Sequence, residues 1–143
     1  MFLLDTNVLS AMMRATPAPE VAAWVSGQPV ERLFTLSVGQ AEILAGLAVM
    51  PDGRRLALEA ASRAMFLEDF AGRVLPFDTA AAVAYADIFA ARQRAGRPVA
   101  TVDLMIAAVA RSQRASVVTR NVADFAACGV TVVNPWDMRQ PNS

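Results

Sequence analysis

The chain has no histidine and no lysine, and a single cysteine, Cys128, among its 143 residues. Without histidine there is no Ser-His-Asp or Cys-His nucleophile system and no imidazole metal site. One thiol makes no internal disulfide and no cysteine-rich zinc pattern, so Cys128 reads as a small, half-buried side chain ahead of a turn at Gly129. Long hydrophobic runs are missing as well. Although 55% of the residues are hydrophobic, the longest uncharged stretch, Phe125–Trp136, falls well short of the roughly 20 residues a membrane helix requires. Asp5 interrupts the apolar N-terminus and no basic segment precedes it, so no secretory signal is expected. These absences point to a cytoplasmic protein with no membrane segment.

Charge of neither sign is in excess: 13 basic residues, all arginine, balance 13 acids. No global positive field would hold nucleic acid nonspecifically, so a polyanionic substrate would depend on local arginines or on a metal. Acid-base or metal chemistry has only carboxylates to work with. The length suits one domain over residues 1–143, which would bury about 68–70% of the surface its unfolded chain exposes.

What is present is a regular alternation. Short apolar runs at Phe2–Leu4, Leu33–Leu36, Val74–Phe77, Val117–Thr119 and Val130–Val133 read as strands buried on both faces. Helical patterns lie between them, which predicts a mostly parallel sheet covered on both sides. Ser37 and Gln40 fit a capping box that opens a helix over 38–49. Asp78 is a candidate N-cap for an Ala-rich helix ending near Arg94, before Gly96 and Pro98, and Thr101 is one for a helix over 102–113. Residues 54–70 form a further helix, and residues 21–25 belong to a short one.

Against this pattern several acids are out of place. Asp5 closes the first strand, and in open α/β sheets ligands bind beyond the carboxyl ends of the strands. Its plainer role is to cap the next helix. Glu42 sits in mid-helix with Val38, Ala45 and Gly46 as its helical neighbours, either as a site residue or as a helix former at the edge of the apolar stripe. Asp103 precedes the uncharged segment Leu104–Ala110, where it could serve a site or simply favour the helix dipole. If the three converge, two like charges about 4 Å apart repel by roughly 4 kcal/mol at an effective dielectric of 20. An arginine, a shared proton or a hard divalent cation would have to compensate. Mg²⁺ suits carboxylates that leave room for water and phosphate, and such a site favours metal-assisted phosphoryl chemistry.

The segment Val117–Phe125 adds a strand, a polar turn and a short helix. Here Asn121 is an N-cap or a ligand, and Asp124 is a first-turn acid or a site carboxylate. Arg92, Arg94, Arg97 and Arg120 could meet phosphates, or simply be solvated surface charges. Trp24 and Trp136 could stack on bases, and otherwise pack in the core or an interface.

Taken together the blocks resemble the PIN-domain ribonucleases, in particular the VapC and FitB-like toxin subunits of bacterial toxin-antitoxin pairs. The matching residues are Leu3-Leu4-Asp5-Thr6-Asn7-Val8-Leu9, Ala41-Glu42-Ile43-Leu44-Ala45-Gly46 and Asp103-Leu104-Met105-Ile106-Ala107-Ala108. Thr119-Arg120-Asn121, Asp124-Phe125 and Asn134-Pro135-Trp136 complete the series, which spans nearly the whole chain in order. The resemblance implies a three-layer α/β/α fold and Mg²⁺ or Mn²⁺ in an acidic pocket, with single-stranded RNA cleaved by a metal-activated water. It places Asp5, Glu42 and Asp103 at the principal acidic positions, with Asp5 and Asp103 on the metal and Thr6 as the hydroxyl partner of Asp5. Many relatives carry aspartate where this chain has Asn121, so Asp124 would take the fourth acidic role and Asn121 would be a neutral ligand. Thr6, Asn7, Thr119, Arg120 and Asn121 would line the substrate path. A homodimer is implied too, along with a cognate antitoxin that binds operator DNA; we expect the early helices and the Ala-rich helix at the dimer contact.

Two other readings follow from the same residues. One is a non-catalytic PIN-like subunit acting in an antitoxin and operator-DNA complex. The other is a phosphohydrolase with Asp5 as nucleophile, which would ordinarily want an acid at the position held by Asn7.

Overall fold

The apolar runs become strands β1 (Phe2–Leu4), β2 (Leu33–Leu36), β3 (Val74–Leu75), β4 (Ser116–Val118) and β5 (Val132–Val133). They form one sheet in the order β3-β2-β1-β4-β5, and every pairing is parallel. The structure is a computed structural model that describes residues 1–137. Between the strands run α1 (Thr6–Met12), α2 (Pro19–Ser26), α3 (Ser37–Ala48), α4 (Asp52–Ala64), α5 (Thr79–Arg94) and α6 (Thr101–Gln113). This is the three-layer α/β/α arrangement expected from the alternation. The third and fifth strands are shorter than their apolar runs, and the fourth begins one residue early, at Ser116.

Alternation along each strand feeds two cores. Leu3, Leu36 and Val117 face α5 and α6, packing with Ile88, Leu104, Ile106 and Phe125. Leu4, Leu33 and Val118 face the opposite layer, packing with Val8, Leu9, Val21, Ile43, Leu47 and Phe66. The chain lays β2 and β3 on one side of β1 and then crosses to lay β4 and β5 on the other. The direction of winding therefore reverses between β1 and β4. At such a point the loops leaving neighbouring strands diverge and open a crevice.

Some local signals act differently from their sequence reading. Ser37 is the first residue of α3 rather than its cap: Leu36 holds that place and no side chain caps the helix, so the capping box does not form. Thr101 likewise lies inside α6, whose uncapped N-cap position is Ala100. Asp78 does cap α5, accepting from the Ala81 amide at 2.9 Å. The helix expected over 54–70 begins earlier and widens into a π-helical turn at Met65–Asp69. Gly96, at φ +65°, carries the chain out of α5 through a left-handed conformation that costs glycine no Cβ clash.

Arg92 is not a surface charge. It is buried on α5 and donates from Nη1 to the Ala126 carbonyl, tying the loop after β4 to the helical layer. Cys128 is fully buried rather than half-buried, and burial pushes its thiol up, against the pull of Arg92 and Arg111. Trp24 packs edge-on against Phe2, with ring centroids 5.1 Å apart. On the outer side of α5, Val83 and Phe89 are exposed. Among the described residues no helix is long and apolar enough to cross a membrane.

The two helix starts give a paired test. Asp78→Ala is expected to lower stability by about 1 kcal/mol through loss of the cap, whereas Thr101→Ala stays within about 0.5 kcal/mol. Urea denaturation of both variants reads the difference, and equal losses would contradict the assignment.

Candidate active site

Asp5 and Thr119 are the residues immediately following β1 and β4, on either side of the reversal in winding. The Asp5 amide donates to the Val118 carbonyl at 2.9 Å, which continues the β1–β4 ladder to the edge of the crevice. Both side chains are buried, and the Thr119 hydroxyl donates to Asp5 Oδ2 at 2.7 Å. Asp5 also caps α1: the Thr6 amide donates to Oδ1 at 2.7 Å. Both of its candidate roles are therefore realised.

Asn7 knits the two loops together. Its Nδ2 lies 3.2 Å from both Asp5 Oδ2 and Thr119 Oγ1, and its Oδ1 accepts from the Arg120 amide at 3.2 Å. Thr119 Oγ1 in turn accepts from the Asn121 amide at 3.0 Å. The hydroxyl partner of Asp5 is thus Thr119 and not Thr6, whose Oγ1 is buried without a hydrogen bond. The Thr6 backbone, not its side chain, meets the carboxylate. Asn121 occupies the N-cap position of a 3-10 turn at Val122–Phe125, but its side chain makes no capping bond.

These residues line a cleft of about 500 Å³ that brings together Asp5 from the end of β1, Glu42 from α3 and Asp103 from the first turn of α6. Thr6, Asn7, Arg120 and Asn121 share the lining. Thr119 lies behind Asp5, and Asp124 sits exposed on the 3-10 turn outside the lining. Glu42 is exposed, so its apolar helical neighbours do not enclose it. Arg92, Arg94 and Arg97 do not line the cleft. Ser10, Arg14 and Trp136 do. Ser10 was legible in principle, because it follows Thr6 by four residues on one polar face of α1, a spacing that Arg14 continues just past the helix end.

The acids are electrostatically uncompensated. Among the described residues the only ion pairs are those of Arg55 with Asp52 and Glu59. Burial pushes the Asp5 carboxyl up, the bonds from Thr119 and the Thr6 amide pull it down, and Glu42 and Asp124 push it up again. Asp103 is raised to about 6, first by burial and then by Asp5, Asp124 and Glu42. Among the described residues no three acidic side chains converge closely enough to enclose an ion by themselves. The donors are nonetheless hard oxygens around an open space. That fits a cation such as Mg²⁺, which is held by one or two carboxylates and keeps several waters.

A pH dependence follows for the metal-free protein. Asp103 keeps its proton in the folded state to about pH 6, against 3.8 unfolded. Its stabilising contribution is complete below the unfolded value and is lost as pH rises through the folded one. In chelator, the thermal midpoint is expected to rise as pH falls from about 7 to about 5, with a shallower slope in Asp103→Asn. A native midpoint that falls over that interval would contradict this charge balance.

Comparison with known proteins places the fold. The PIN domain family model matches residues 2–128. A plasmid stability protein, StbB of Pseudomonas syringae pv. tomato, is 41% identical over 96% of this chain and 99% of its own. The VapC ribonuclease Y4jK of Sinorhizobium fredii is 39% identical over the same shares. Among solved structures, FitAB bound to an IR36 DNA fragment contains a chain that superposes with a TM-score of 0.90 at 35% identity, covering 99% of this chain and all of that one. With the family match running from β1 past the 3-10 turn, and these relatives covering nearly its full length, the chain belongs to the PIN domain family.

Proposed function

We propose that this chain is a metal-dependent endoribonuclease, the toxin of a bacterial toxin-antitoxin pair, acting on single-stranded regions of RNA. The observation that carries the reading is the collection of Asp5, Glu42 and Asp103 in one cleft at the reversal of winding, with no arginine paired to any of them among the described residues. Like charges gathered in one cleft are costly to assemble, and such clusters belong to sites whose chemistry needs them. The VapC ribonuclease relative supports RNA as the substrate.

Asp5 and Asp103 would hold Mg²⁺ or Mn²⁺, with Glu42 and Asp124 adding negative field. When bound, such an ion acidifies a water and stabilises charge on a phosphoryl oxygen. The chain's own residues do the positioning. Three donors, the Thr6 amide, the Thr119 hydroxyl and Asn7 Nδ2, occupy most of the roughly four lone-pair sites of Asp5, which fixes its orientation and leaves about one for a ligand. Thr6, Arg120 and Asn121 line the space where the RNA backbone would lie. Asn7 spends its side chain on Asp5 and Thr119, so it does not supply the second acid an aspartyl-phosphate mechanism would want.

The FitAB complex bound to a DNA fragment supports a cognate antitoxin, and in this reading operator DNA is reached through that antitoxin. The exposed Val83 and Phe89 on α5 support a homodimer through that helix.

Purified, antitoxin-free protein is expected to cut a structured RNA pool with Mg²⁺ or Mn²⁺ but not with EDTA, and Asp103→Asn is expected to abolish the cuts while keeping the fold. Equal turnover by the two proteins would sink the assignment, and folded protein that binds antitoxin but never cuts would favour the non-catalytic subunit. Thr119→Val is expected to lower metal affinity or activity about 10- to 100-fold, and Thr119→Ser to restore most of it, because loss of a partner that orients a ligand has that typical cost.

A further inference from the structure

Arg120 and Trp136 reach the cleft from different segments, one from the turn after β4 and the other from beyond β5. The Arg120 guanidinium carbon lies 5.2 Å from the centre of the Trp136 ring, within cation-π range. The indole packs against the core beneath α1 to α4, and the Trp136 backbone amide donates to Asn134 Oδ1 at 3.0 Å, which holds the segment that carries the ring. Arg120 is exposed and, among the described residues, pairs with no carboxylate. Its place relative to the acids is nevertheless set, because its amide is held by Asn7, which also holds Asp5.

An arginine backed by an aromatic ring and open to solvent has a recognised use in single-stranded nucleic acid binding, where unstacked bases lie on aromatic rings or on guanidinium planes. Resting on the nuclease reading above, we propose that Arg120, supported by Trp136, is a stacking platform for the nucleobase beside the scissile phosphate. It is then a specificity subsite built onto the same hydrogen-bond network that orients Asp5. RNA is favoured over a protein ligand because the platform shares its cleft with Asp5 and Asp103.

The test separates base binding from catalysis. Trp24 packs on Phe2 outside the cleft lining, so Trp24→Phe leaves Trp136 as the sole indole. In EDTA, a short random-sequence RNA pool titrated into that protein is expected to change Trp136 emission. Arg120→Ala in the same background should weaken binding about tenfold, with Arg120→Lys recovering only part, because the planar group is missing. Undiminished binding by Arg120→Ala would overturn the subsite and leave the nuclease reading standing. Full recovery by lysine would reduce Arg120 to a point charge and overturn the platform. Absence of RNA binding by the parent protein in EDTA would overturn the platform and leave the metal-dependent nuclease reading to the cleavage assay. Loss of antitoxin binding in Arg120→Ala, with RNA binding intact, would assign the platform to the antitoxin and overturn the proposal.

Discussion

The hydrogen bond from Thr119 to Asp5 joins the ends of two strands on opposite sides of the point where the sheet reverses its winding. A carboxylate buried at a strand end needs donors, since a charge removed from water without partners costs several kcal/mol. Here the donors come from both sides of the crevice, so satisfying Asp5 also fixes how the β4 loop leaves the sheet. Asn7 extends the same arrangement to the Arg120 amide, and Arg92 ties the far end of that loop to α5 at Ala126. The cleft is therefore shaped by the requirements of one buried acid.

The remaining acids act on one another chiefly through charge. Glu42 and Asp103 approach from separate helices, and the Asp103 carboxyl is raised first by burial and then by Asp5, Asp124 and Glu42. A protein free to optimise stability alone would place an arginine among them. This chain carries 13 basic residues, yet among the described residues its ion pairs lie on the outside of α4. Keeping the cleft electronegative sacrifices stability for chemistry, the usual tension at functional sites. It also accounts for cationic groups entering the cleft, among the described residues, only at the lining positions Arg14 and Arg120, without pairing.

Much of this was legible in the sequence. Strands buried on both faces leave continuous apolar runs, and β1 and β2 lie where those runs lie. Asp5, Glu42 and Asp103 stood out because each interrupts an apolar pattern. Errors arose where backbone context overrode side-chain chemistry. Ser37 and Thr101 have capping side chains, but β2 leads straight into α3, and α6 begins one residue too soon. Thr6 is the partner of Asp5 that the family resemblance implies, whereas the actual bond, across 114 positions, leaves no local trace. Arg92 carries a charge that sequence places at the surface, and only the fold supplies the buried carbonyl that accepts from it. Trp136 looked like packing and does pack, but its exposed side faces the cleft lining.

The wide separation of Asp5 and Thr119 also bears on biosynthesis. A parallel sheet is built from non-local pairings, each of which must close a long loop before it is rewarded. β1 lies at the centre of the sheet, yet one of its two neighbours is β4, made more than a hundred positions later. A nascent chain still on the ribosome can assemble β1, β2 and β3 while Asp5 lacks its hydroxyl partner and the β4 wall of the crevice. The cleft becomes whole only after Trp136 has emerged, so truncated or stalled products carry the acids without the geometry that would make them a site.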